Sequence, residues 1–148
     1  MFMKPQLGLA EARAAVDAAI AEASKDPGKP MCVAVVDEHG SLIACARMDG
    51  SLAIFMKMAI NKAYTAARMF RDTATFAEQQ RAKNRELDVW GDGQYTLIPG
   101  GLCIIKPGKG YIPDNKLTGD VVGGIGASGR PSVEDARIAR VGLKAIKF

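Results

Sequence analysis

Lys62 is the ionisable residue whose position most strongly suggests chemistry. The segment Ser51 to Phe70 has the composition and 3.6-residue periodicity of an α-helix, with Ser51 placed as its N-cap. On that helix Lys57, Asn61, Thr65, Arg68 and Asp72 share one polar stripe. Lys62 falls instead among Phe55, Met58, Ala66 and Met69, the side that faces a sheet. Burying an ammonium is costly, so something must compensate it. Three readings follow. Lys62 projects into a cavity, where it binds an anionic group or transfers a proton; it pairs with an internal carboxylate, for which Asp37 and Asp49 are the natural partners; or it snorkels to an edge.

Arg47-Met48-Asp49-Gly50 precedes this helix and ends a strand, so strand end and helix start can converge on one pocket mouth. Arg47 offers a planar fork suited to a carboxylate, or it pairs with Asp49 and stiffens the turn. Thr65 and Tyr64 add hydroxyls, with Tyr64 on the opposite side of the helix from Lys62, where a subunit contact is the expected role. Gly124-Ile125-Gly126-Ala127-Ser128-Gly129 matches G-x-G-x-x-G, but no strand follows to complete a dinucleotide-binding unit. Glycines there let a helix, a ligand or a neighbouring backbone approach closely. The single histidine, His39, sits in a turn, and Cys32, Cys45 and Cys103 form no Cys-x-x-Cys, so a metal site is not expected.

The elements that must hold these residues are legible in outline. Leu9 to Ser24 reads as a first helix, with Leu9, Ala12, Val16, Ala19, Ile20 and Ala23 on one face, stopped by Asp26-Pro27-Gly28. Met31–Val36 and Leu42–Ala46 flank Asp37-Glu38-His39-Gly40 as a hairpin. Both strands are continuously apolar, which predicts cover on both faces. A short helix is expected over Thr75–Lys83, strands over Tyr95–Ile98, Leu102–Ile105 and Val121–Ala127, and a polar excursion from Lys106 to Asp120. A last helix opens at Pro131 or Ser132, where Ser132 and Asp135 have capping-box-like spacing. The whole of 1–148 reads as one α/β domain.

Composition excludes some partners. Basic residues of the Arg68–Arg85 region alternate with acids, and only 6% of the chain is aromatic, which argues against a nucleic-acid surface. No apolar run approaches the roughly 20 residues that span a bilayer, and no secretory leader is read, so a soluble, cytoplasmic protein is expected.

Taken in order, Val35-Val-Asp37-Glu-His-Gly40, Arg47-Met-Asp-Gly50, Lys62-Ala-Tyr-Thr-Ala66, Pro99-Gly-Gly101 and Gly123-Gly-Ile-Gly-Ala-Ser-Gly129 resemble the GlcG/HbpS family, related to the C-terminal domain of PduO-type corrinoid adenosyltransferases. The resemblance covers about Leu9 to Leu143. It implies a profilin-like three-layer α/β/α domain with a five-stranded antiparallel sheet, assembled into homo-oligomers. It also implies a small-molecule pocket that holds haem in some members, with Arg47, Lys62, Thr65, Gly100, Gly101, Gly124 and Gly126 as candidate ligand contacts. With His39 in a hairpin turn, the axial ligand would fall to Thr65, Tyr64, Lys62 or a methionine. Two alternatives accompany haem binding. One is a cofactor-independent lyase, isomerase or hydratase acting on a small acid or carbonyl compound, with Lys62 as acid/base, Asp49 or Asp37 tuning it and Arg47 holding the carboxylate. The other is a non-catalytic oligomeric accessory subunit.

Overall fold

The computed structural model describes residues 1–108 and 119–148. Helix α1 (Leu9–Ala23) buries Ala12, Ala15, Val16, Ala19 and Ala23 along one stripe, while Leu9 stays exposed at its start. Strands β1 (Cys32–Asp37) and β2 (Leu42–Arg47) form the expected hairpin. Asp37 closes its turn, accepting the N–H groups of His39 at 2.8 Å and Ser41 at 2.9 Å, and Gly40 takes the positive φ of +87° that the turn requires. Helices α2 (Ala53–Arg68) and α3 (Thr73–Ala82) follow, then a 3-10 turn over Leu87–Trp90. Strands β3 (Gly101–Pro107) and β4 (Gly119–Ser128) and helix α4 (Ser132–Lys144) complete the fold.

The described residues form a four-stranded, wholly antiparallel sheet of order β2-β1-β4-β3, not five strands. Tyr95–Ile98, expected as a strand, is irregular because side chains take its backbone donors: Thr65 Oγ1 accepts the Thr96 N–H at 3.0 Å, and Thr96 Oγ1 accepts that of Ile98 at 3.2 Å. Lys106 pairs with Asp120 across β3 and β4, so the polar excursion is strand at both ends, and its residues 109–118 lie outside the described residues. The hairpin is also less covered than expected, since β2 is an edge strand with Leu42, Cys45 and Arg47 exposed.

Helices α1 and α4 pack on one face of the sheet and α2 on the other. The first interface holds the larger core, in which Val33, Val35, Leu102, Ile104, Val122 and Ile125 meet Ala12, Ala15, Ile138 and Ala139. The second is a trough of small residues. Strand register aligns Ala34, Gly126 and Gly101 in one row and Val36, Gly124 and Cys103 in the next. A Cβ on Gly126 would lie 2.1 Å from the Ala59 carbonyl oxygen, one on Gly124 2.2 Å from that of Ala63, and one on Gly101 2.2 Å from that of Lys62. The glycines therefore let the α2 backbone rest directly on the sheet.

Candidate ligand-binding site

Lys62 projects from α2 through this trough and is 1% exposed. Its Nζ donates to the Ala127 carbonyl and to Asp135 Oδ2, both at 2.9 Å. The compensation anticipated for it is therefore an ion pair, but the partner is Asp135 of α4 and not Asp37 or Asp49. Asp135 does not form the expected capping box: α4 has no side-chain cap, Pro131 occupies the cap position, and Asp135 Oδ1 accepts the Arg130 N–H at 2.9 Å. Burial pushes the Asp135 carboxyl up, against the Lys62 ammonium and the N–H groups of Arg130 and Gly129, which favour its charged form. The pair joins the helices on opposite faces of the sheet. Gly100, at φ +123°, passes so close that a Cβ there would lie 2.9 Å from Lys62 Nζ.

The other anticipated residues are distributed as follows. Asp37 serves the hairpin turn. Thr65, expected on the polar stripe, is fully buried, donating to the Asn61 carbonyl at 2.8 Å and accepting from Thr96. Gly101, Gly124 and Gly126 face the α2 backbone. Tyr64 lies near the far end of the hairpin against Gly40 and donates to Asp92 at 2.5 Å. Ser51 does not cap α2, whose cap position is Leu52; its Oγ lies 3.4 Å from Cys32 Sγ.

The Arg47–Leu52 turn forms a ridge between two surface grooves. One, of about 360 Å³, is lined by Ile20, Ser24, Pro27, Arg47, Met48 and Asp49. Arg47 and Asp49 are both exposed there, and no salt bridge forms between them. The other, of about 490 Å³, lies between Lys29 and Pro30, the start of α2 at Ser51, Leu52 and Phe55, and the β4–α4 turn at Gly129–Pro131. That volume falls within the roughly 300–1,000 Å³ typical of small-molecule sites. Among the described residues no acidic side chain lines it. The N-termini of α2 and α4 both open onto it without a side-chain cap, and each such end carries partial positive charge.

Arg130, which is not among the site residues expected from the sequence, shapes the larger groove. Its guanidinium donates to the carbonyls of Lys29 at 2.9 Å, Ala23 at 2.8 Å and Asp26 at 3.1 Å, and meets Glu134 at 3.4 Å. It thereby ties the segment after α1 to the β4–α4 turn. Gly129, at φ +139° and pressed against Met31, lets that turn lie flat. Asp135 holds the same turn from beneath through the Arg130 N–H.

Two helical layers around one antiparallel sheet, with grooves beside the hairpin's end, define a three-layer α/β/α domain. Residues 7–144 match the family model described as "Haem degrading protein HbpS-like", and the chain belongs to that family. Its sequence is 29% identical over 116 residues to an uncharacterized 15.0 kDa protein of the dhaT-dhaS intergenic region of Citrobacter freundii, covering 77% of this chain and 74% of that protein. It is 28% identical over 119 residues to the corrinoid adenosyltransferase PduO of Salmonella typhimurium strain LT2, covering 79% of this chain but only 32% of PduO. Among solved structures, HbpS superposes with a TM-score of 0.80 at 27% identity, covering all of this chain and 95% of that one. PduOC, solved as a complex with heme, gives 0.78 at 24% identity, covering 97% of this chain and 96% of that one. The GlcG/HbpS likeness carried by the five motifs thus holds, as does the link to PduO. No described helix is long and apolar enough to cross a membrane, and no group of three or more His, Cys, Asp or Glu among the described residues could hold a metal ion.

Proposed function

We propose that this chain binds haem or a closely related tetrapyrrole in the groove bounded by Pro30, Leu52, Phe55 and Pro131. The observation that carries the reading is the character of that groove: apolar walls, no carboxylate among its described lining residues, two uncapped helix N-termini and Lys29 at the rim. A tetrapyrrole acid has the complementary character, with two apolar ring faces and propionates that cations and free backbone N–H groups attract. Membership of the HbpS-like family and the heme complex of PduOC support the same ligand class. Arg47, on the other side of the ridge, is a second cation for a propionate reaching over the turn. Lys62 contributes by holding the β4–α4 turn through Asp135 rather than by touching ligand.

Titration of the purified chain with haemin, followed at the Soret band, tests the proposal. Leu52→Glu adds a carboxylate to the groove at a position 62% exposed, where folding is not at stake. Saturable binding that the variant weakens by at least about tenfold is expected. Unchanged binding by the variant would move the site elsewhere, and no saturable shift in the wild type would remove the reading.

A further inference from the structure

We infer that the groove selects its ligand by ring and carboxylates alone, so that this chain binds metal-free porphyrin as readily as haem. The inference rests on the proposed tetrapyrrole reading and concerns what the protein offers to the iron. His39 is the only histidine of the chain. It lies beyond the C-terminal end of β1, whereas Pro30 and the groove lie before its N-terminal end. From Cys32 to Asp37 the strand advances five steps of about 3.3 Å, about 17 Å, and Pro30 and His39 lie beyond its opposite ends, too far for an imidazole to reach a macrocycle held in the groove. The His39 ring is 76% exposed and faces Glu38 at 3.5 Å.

Among the described residues no cysteine or methionine lines the groove. Cys32 is fully buried behind Ser51, and burial pushes its thiol up, away from the thiolate that would bind iron. Met31 is fully buried beneath Gly129. Tyr64 is held by Asp92 and Tyr95 lies near Arg68, both away from the groove. Among the described residues Lys29 is the only amine on the lining, at the rim beside Asp26. Hence the groove meets a porphyrin with apolar surface and positive potential, and its affinity contains no term for coordination by a protein imidazole or thiolate.

The test compares haemin with protoporphyrin IX on the full chain, by Soret absorbance for the first and porphyrin fluorescence for the second. Dissociation constants within about threefold of each other are expected, both raised together by Leu52→Glu and neither altered by His39→Ala. Haemin binding at least about tenfold tighter than protoporphyrin IX, or loss of haemin binding in His39→Ala, would overturn the inference while leaving tetrapyrrole binding standing. Binding of neither compound would remove the tetrapyrrole reading and this inference with it.

Discussion

Replacing Lys62 by Met keeps most of the aliphatic stem but deletes the charge and the donor to the Ala127 carbonyl. The two partners are 1% and 3% exposed in their side chains, so the Asp135 carboxylate would be left in the interior with backbone N–H groups as its remaining donors. Breaking a buried pair from one side costs about 3–5 kcal/mol, a large part of the 5–15 kcal/mol that stabilises a typical domain. With a urea slope of about 2 kcal/mol per molar, the unfolding midpoint should fall by about 2 M. The double variant Lys62→Met with Asp135→Asn removes both charges yet keeps an acceptor for the Arg130 N–H, and should recover at least half of the loss. Its haemin affinity should stay within about threefold of wild type, because the acceptor kept at position 135 still holds the Arg130 N–H and the turn, and neither side chain touches ligand. Equilibrium urea unfolding followed by circular dichroism measures the first two quantities. A single variant whose midpoint moves by less than about 0.3 M, or a double variant no better than the single, would refute the reasoning.

Two further expectations concern the sheet. Gly126→Ala places a methyl 2.1 Å from the Ala59 carbonyl, so α2 must lift from the sheet, at a cost of about 1–3 kcal/mol and a Tm several degrees lower by calorimetry; an unchanged Tm would show that the trough has slack. The three thiols should react unequally with an aromatic disulfide reagent at pH 8. Cys45, exposed on the edge strand, should react fast, while Cys32 and Cys103 wait for unfolding, the thiol of Cys103 being pushed up by burial to about 12; rapid release of three equivalents from the folded protein would contradict this burial.

Much of the fold was legible because its signals are local. The alanine stripe of α1, the hairpin around Asp37–Gly40 and the periodicity of α2 each follow from residues within a few positions of one another. Lys62 was recognisable for the same reason, as a cation out of phase with its own helix. Its partner was missed because capping spacing gave Asp135 a plausible local role. A subtler sign was present: Asp135, Ile138, Ala139 and Gly142 fall at i, i+3, i+4 and i+7 on the buried face of α4, an acid out of phase in the same way. Two buried opposite charges on different helices imply each other once both are seen. Tyr95–Ile98 had strand-forming residues, but its backbone donors go to Thr65 and Thr96, a long-range arrangement that propensity does not encode. The glycines of β4 were read correctly as allowing close approach, but what approaches is the α2 backbone, and this appears only when strand register stacks Gly101, Gly126 and Ala34 in one row. The groove escaped for a related reason, being assembled from three segments distant in sequence and closed by Arg130.

The central claim is that the groove at the paired helix N-termini is where the tetrapyrrole binds. A crystal structure of the chain grown with haemin tests it most directly. The macrocycle should lie against Leu52, Phe55 and Pro131 with a propionate toward Lys29 or Arg47; haemin bound instead at the Asp37–Gly40 turn through His39 would contradict it.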